Sequence, residues 1–167
     1  NPLIFLVIIW QVKLFEFTND VSFVHYGIFP RDFSGLKGIL FWGFIHGDFE
    51  HLASNSVPIF VLGTMMYYFY PKIANQVILS SYFLTGILVW LLGNTDGRVS
   101  FHIGASGIVY SIFAFLFFSG WFRKDKVSVA ISFFVTLFYG SIIWGVFPLE
   151  RGISWEGHLF GLLSGLI

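Results

Sequence analysis

Long apolar runs set apart by short charged stretches limit the fold of this 167-residue chain more than any other feature. A charge at mid-bilayer costs about 2.5–3.5 kcal/mol on insertion scales, so charged positions mark where a membrane chain leaves the hydrocarbon. Here they delimit apolar runs at residues 3–17, 52–70, 73–92, 103–122 and 127–147, and a sixth that begins near Trp155. Each complete run approaches the ~20 residues that cross a ~30 Å core. With 56% hydrophobic and only 11% charged residues, the composition agrees. The expectation is an all-α polytopic membrane protein, one domain over residues 1–167, with six transmembrane helices and a long loop between the first two.

Several function classes fall away at once. Nine basic and nine acidic residues give zero formal charge, so no field gathers nucleic acid, and that partner is excluded. The absence of cysteine removes disulfide frameworks, thiolate metal sites and a cysteine nucleophile. The chain starts at Asn1 and stops at Ile167 inside an apolar run, so flanking segments are expected. The first run has neither a basic leader nor a small-residue cleavage site and reads as a retained helix. It carries Lys13 and Glu16, three residues apart near one end, where they are expected to pair and snorkel toward the headgroups.

Orientation follows from the short loops. Lys72 follows the second run, and Arg123, Lys124 and Lys126 follow the fourth, opposed only by Asp125. The positive-inside rule makes these loops cytoplasmic. The loops holding Asp96 with Arg98 and Glu150 with Arg151, and the long first loop, are then external, with both termini in the cytoplasm. By parity, the second, fourth and sixth helices all start at the outer face, so their opening residues share one leaflet.

Those openings carry the chemistry. The fourth begins Gly104-Ala105-Ser106-Gly107, where small neighbours leave a hydroxyl reachable, after an Asn94-Thr95-Asp96-Gly97 turn signal. The sixth begins Gly157-His158, with Gly161 and Gly165 continuing a stripe of small residues; Gly104, Gly107, Ser111 and Ala114 form a matching one. Such stripes let helix backbones approach closely in a membrane, which brings Ser106 and His158 together. The second opens with His46-Gly47-Asp48-Phe49-Glu50-His51, and Asn55 lies one turn beyond His51 on the same face. A serine hydroxyl needs a base near neutral pKa, which a histidine supplies. The oxyanion formed in acyl transfer needs preset donors, and the Asn55 amide, a His51 ring N–H and the Ser106 backbone N–H are of the right type.

At these residues the chain resembles the rhomboid intramembrane serine proteases, over nearly its whole length. His46 to Asn55 is similar to that family's H-G-x3-H-L-x2-N, residues 104–107 to its G-x-S-G, and His158 with Gly161 and Gly165 to its H-x2-G-x3-G. The resemblance implies a six-helix fold, with Ser106 as nucleophile and His158 as base and then acid. It implies His51 and Asn55 as oxyanion donors, and Tyr110, one turn below Ser106, against the His158 ring. It implies other membrane proteins' transmembrane segments as substrates, with no cofactor or metal. A bacterial cytoplasmic membrane is the expected location, with the site toward the outer face. The family's adjacent Trp-Arg pair in the first loop is not found; Arg31 and Trp42 are separated. Glu156, two residues from His158, would point away from it on a helix. The expected lateral gate is the fifth helix, where Phe133, Phe134, Phe138, Tyr139 and Trp144 face the second helix, capped by the loop at residues 147–155.

Other classes fit less well. A zinc protease wants H-E-x-x-H, and His46 with His51 has neither the spacing nor the order. An aspartyl protease needs two intramembrane aspartates, which no run contains. A transporter would show interrupted helices or a buried charge. The competing reading is a rhomboid-like pseudoprotease that escorts membrane clients, although such relatives usually lack the serine or the histidine.

Overall fold

The computed structural model describes residues 1–95, 101–149 and 154–166. They form α1 (Pro2–Asn19), α2 (Gly38–Phe41), α3 (Phe49–Phe69), α4 (Ala74–Leu92), α5 (Ser106–Arg123), α6 (Lys126–Tyr139) and α7 (Trp155–Ser164). Single 3₁₀ stretches lie at Val24–Tyr26, Phe33–Lys37, Trp42–Phe44 and Gly140–Val146. Among the described residues the only β pairing is an isolated antiparallel bridge between Ile28 and His102. The charges expected at Asp96, Arg98, Glu150 and Arg151 lie outside the described residues, as does Ile167.

The protein is an all-helical integral membrane protein. Among the described residues, four segments are long and apolar enough to cross a bilayer: Pro2–Asn19, Ala74–Leu92, Ser106–Arg123 and Lys126–Val146. α3 matches them in length at 21 residues, but Glu50, His51, Ser54, Asn55 and Ser56 make its first turns polar. The described helix of α7 has 10 residues. Among the described residues, length and apolarity alone therefore mark four crossings, where the sequence reading expects six.

α5 is the central element. Residues on all its sides are buried, from Gly107 to Leu116, and it packs on both α6 and α7. α4 covers α7, and α1 lies against α3. Ser81 Oγ donates to the Ser164 carbonyl at 3.0 Å, and Thr85 Oγ1 donates to Ser164 Oγ at 3.1 Å. Interhelical bonds of this kind are worth about 0.6 kcal/mol each in a membrane, so close backbone packing must supply the rest.

Local chemistry moves several boundaries. α3 starts at Phe49 rather than residue 52, because Asp48 accepts the His51 amide at 2.7 Å and caps the helix. α5 starts at Ser106 rather than residue 103. Gly104, with φ of 103°, sits in the left-handed region that only glycine adopts without strain, and it breaks the run there. The fifth run is not one α-helix: α6 stops at Tyr139, and a 3₁₀ stretch continues to Val146.

The Lys13–Glu16 pair forms at 3.4 Å, but it does not snorkel. Glu16 is 3% exposed and accepts the Phe23 amide, while Lys13 donates to the carbonyls of His46 and Gly47 at 3.1 and 2.9 Å. Two free carbonyls and an amide of the first loop lie within reach, and binding them satisfies the charges better than a headgroup would. Tyr70, at the end of α3, bonds Ser119 and Ser128, and the Arg123 guanidinium lies 5.6 Å from its ring. The two basic turns thus sit together, at the end of the bundle opposite the starts of α3 and α5.

Candidate active site

Ser106 is the first residue of α5, and His158 lies one turn into α7. The helices meet along their small residues. A Cβ at Gly161 would run into the backbone of Gly107, and one at Gly165 into the backbone of Ser111. A Cβ at Gly107 would lie 2.9 Å from the Trp42 ring and 3.1 Å from the Gly157 carbonyl. No side chain larger than hydrogen fits at these positions, and that contact sets the distance between Ser106 and His158. Nε2 of His158 stands 2.9 Å from Ser106 Oγ.

The other ring nitrogen fixes the tautomer. Nδ1 of His158 is 2.8 Å from the carbonyl oxygen of Gly145. A carbonyl only accepts, so Nδ1 bears the proton and Nε2 offers its lone pair to the Ser106 hydroxyl. The task a carboxylate performs in a three-residue triad falls here to a backbone oxygen at the end of the 3₁₀ stretch. Tyr110 stacks on the imidazole with centroids 4.3 Å apart and planes within 7°, and its hydroxyl donates to the Ile142 carbonyl at 2.7 Å. The ring is thereby held from one face and from one edge. Gly145 must be glycine for this, since a Cβ would strike the Tyr110 hydroxyl.

The third helix start faces the same place. A Cβ built on Gly104 would lie 2.5 Å from Cε1 and Nε2 of His51, so that imidazole rests directly on Gly104. Asn55 is buried one turn along, and its amide donates one N–H to the His51 carbonyl at 2.8 Å, which leaves a second N–H on the same nitrogen. The Gly104 amide is engaged by the Trp42 carbonyl at 2.9 Å, so Gly104 serves the turn rather than an oxyanion. The first-turn amides of α5, at Ser106 and Gly107, have no intrahelical acceptor. Gly157 donates its amide to Ser154 Oγ at 3.3 Å, the cap of α7.

The Rhomboid domain family matches residues 35–167. The chain belongs to the rhomboid family. An uncharacterized protein of Mycobacterium tuberculosis is 31% identical to this rhomboid over 170 residues, covering 99% of the chain and 71% of the relative. An uncharacterized protein of Mycobacterium leprae is also 31% identical over 170 residues, covering 99% and 67%. A Bacillus subtilis protein named "Putative rhomboid protease YdcA" is 26% identical over 129 residues, covering 74% of this chain and 60% of its own.

The first loop of this rhomboid is held without an adjacent Trp-Arg pair. Arg31 donates its side chain to the Gly93 carbonyl at 2.6 Å and its amide to the Trp90 carbonyl at 2.8 Å. Trp90 returns an indole bond to the Asp32 carbonyl at 2.9 Å. Trp42 stacks on Tyr82 at 4.9 Å, and Tyr82 donates to the Leu40 carbonyl. Arg31 and Trp42 thus both fasten the loop to α4, 11 residues apart in sequence (42 − 31).

His46, given no site role by the sequence, is 1% exposed, and its Nε2 accepts the Ala105 amide at 3.3 Å. It ties the first loop to the residue before Ser106. Glu156 does point away from His158: it is buried and accepts the Asn94 amide at 3.2 Å. Of the gate aromatics, Phe133 and Phe138 on α6, whose main partner is α5, and Trp144 on the 3₁₀ stretch are 63–69% exposed. The capping loop falls partly outside the described residues.

Proposed function

We propose that this rhomboid is an intramembrane serine endopeptidase that cleaves transmembrane segments of other membrane proteins near the outer leaflet. The single observation that carries the reading is the 2.9 Å approach of His158 Nε2 to Ser106 Oγ, with Nδ1 already committed to Gly145. In that state the imidazole takes the hydroxyl proton as Oγ attacks a substrate carbonyl, then returns it to the departing amine. Water, activated by the same nitrogen, hydrolyses the acyl-enzyme. The oxyanion is received by the Ser106 amide, a ring N–H of His51 and the free N–H of Asn55.

The same reading has six crossing helices, with α3 and α7 completing the set. Both termini are cytoplasmic, the first loop lies at the outer interface, and the membrane is a bacterial cytoplasmic one. The clustering of the Lys72 and Arg123 turns at the end opposite Ser106 supports that orientation. A substrate helix must unwind before attack, because its amides are shielded by their own hydrogen bonds; helix-breaking residues lower that cost. It approaches sideways, past the exposed aromatic face of α6.

The test is a transmembrane substrate incubated in liposomes with wild type, Ser106→Ala and His158→Ala. Cutting by wild type alone supports the reading; binding without cutting by all three makes the protein a client-binding pseudoprotease. Asn55→Ala lowers turnover by about 10²–10³ if its amide is a full oxyanion donor, and an unchanged rate removes it from the site.

A further inference from the structure

A second serine–histidine contact lies beside the first. His102, 6% exposed, precedes α5; Ser154 precedes α7; the two are joined by Nδ1 to Oγ at 2.5 Å. His102, Ser154, Gly104, Ser106 and Gly157 line one small cleft. Nε2 of His102 is 3.1 Å from the Asn94 carbonyl, which only accepts, so Nε2 carries the proton and Nδ1 receives the Ser154 hydroxyl hydrogen. Ser154 Oγ in turn accepts the Gly157 amide. A directed chain therefore runs from the α7 backbone through Ser154 and His102 to the end of α4.

The histidine is itself fixed by backbone. Its amide and carbonyl pair with Ile28 at 2.8 and 3.0 Å, so it cannot move without the first loop. Two residues further on lies Gly104, and four further on Ser106. Four residues after Ser154 comes His158, and between them Glu156 reaches back to the Asn94 amide. The start of α7 is thus pinned to the segment that leads into Ser106 from two directions.

We infer that His102 and Ser154 are a positioning pair for the proposed reaction: they fix where α7 begins relative to α5, and so hold His158 at bonding distance from Ser106. The inference rests on the Ser106–His158 reading but assigns these two residues no contact with substrate. Ser154 is bonded to an imidazole as Ser106 is, but its oxygen also accepts the Gly157 amide as the cap of α7, and that commitment sets it apart from a nucleophile.

The experiment separates this role from simple helix capping. Glycine is tolerated at a helix N-cap far better than alanine, yet it removes the hydroxyl that bonds His102. With the full chain in liposomes, Ser154→Gly and His102→Phe are each expected to lower kcat about tenfold with KM within about twofold, and Ser154→Thr to restore kcat. Because the two act as one unit, the double variant should lose about tenfold as well. A loss in the double variant near a hundredfold, the product of the two single losses, or a Ser154→Gly kcat equal to wild type, overturns the inference. Ring-nitrogen NMR of His158 reads the same geometry without turnover: its Nδ1–H resonance should shift or broaden in Ser154→Gly and return in Ser154→Thr. An unchanged resonance overturns the positioning role whether or not the protein cuts, whereas a wild type that does not cut defeats the protease reading alone.

Discussion

α7 and α6 both flank α5, but they pack closely on it at opposite ends. α7 approaches through Gly161 and Gly165, whose missing side chains put backbone directly on the backbone of Gly107 and Ser111. α6 buries only Ser128, Ile131 and Val135, and shows Phe133, Leu137 and Phe138 to its surroundings. The first contact has no slack, and it carries His158. The second is tightest at the other end of α5, where Gly120 admits the Ser128 backbone and Ser132 bonds the Phe117 carbonyl, and the 3₁₀ stretch that follows it brings two carbonyls to the site, Gly145 to His158 and Ile142 to Tyr110. Both neighbours are thus packed closely on α5, but only α7 is packed closely beside Ser106, while the far face of α6 stays exposed.

The comparison breaks first at the glycines. Gly161→Leu forces α7 away from Gly107, and since a displacement near 1 Å costs about 10² in rate, turnover should fall by ~10³ or more, together with loss of fluorophosphonate labelling at Ser106. Normal labelling of Gly161→Leu would mean that the α5–α7 contact does not set the geometry. Gly145→Ala comes next. Its methyl would meet the Tyr110 hydroxyl and lie 3.1 Å from His158 Nδ1, so turnover should drop by about 10² while the bundle still unfolds at nearly the same denaturant concentration. A parallel collapse of stability would make the 3₁₀ stretch a structural element rather than an orienting one. The smallest effect belongs to the outer face of α6: Phe133→Ala or Phe138→Ala should change stability by less than about 0.5 kcal/mol and leave turnover undiminished. A stability loss of several kcal/mol would show that this outer face is packed against a partner rather than exposed.

Much of this was legible in sequence because it is written in side-chain type. Apolar runs between charges gave the helices, and Ser106, His158 and the glycine stripes stood out as small or polar residues at helix starts. What sequence hid is written in backbone. The oxygen of Gly145 that orients His158 and the carbonyls of His46 and Gly47 that hold Lys13 have no residue signature. The change from α-helix to 3₁₀ after Tyr139 lay inside an unbroken apolar run, marked only by Gly140 and Gly145. The anchoring of the first loop is hidden for a related reason: with no adjacent Trp-Arg pair, nothing in the sequence says that Arg31 and Trp42 reach α4 separately, through Gly93 and Tyr82. His46 is weighed in sequence only as a metal ligand beside His51 and as part of a motif; its bond to the Ala105 amide, 59 residues away, leaves no local signature.

The most direct measurement is the reaction of a fluorophosphonate probe with purified protein, followed by mass analysis of the labelled peptide, in wild type and in His158→Ala. The bond between Nε2 and Oγ predicts a single adduct on Ser106 in wild type, formed at least ~10³-fold more slowly once the imidazole is gone. Equal labelling rates in the two proteins, or an adduct on a residue other than Ser106, would contradict the account.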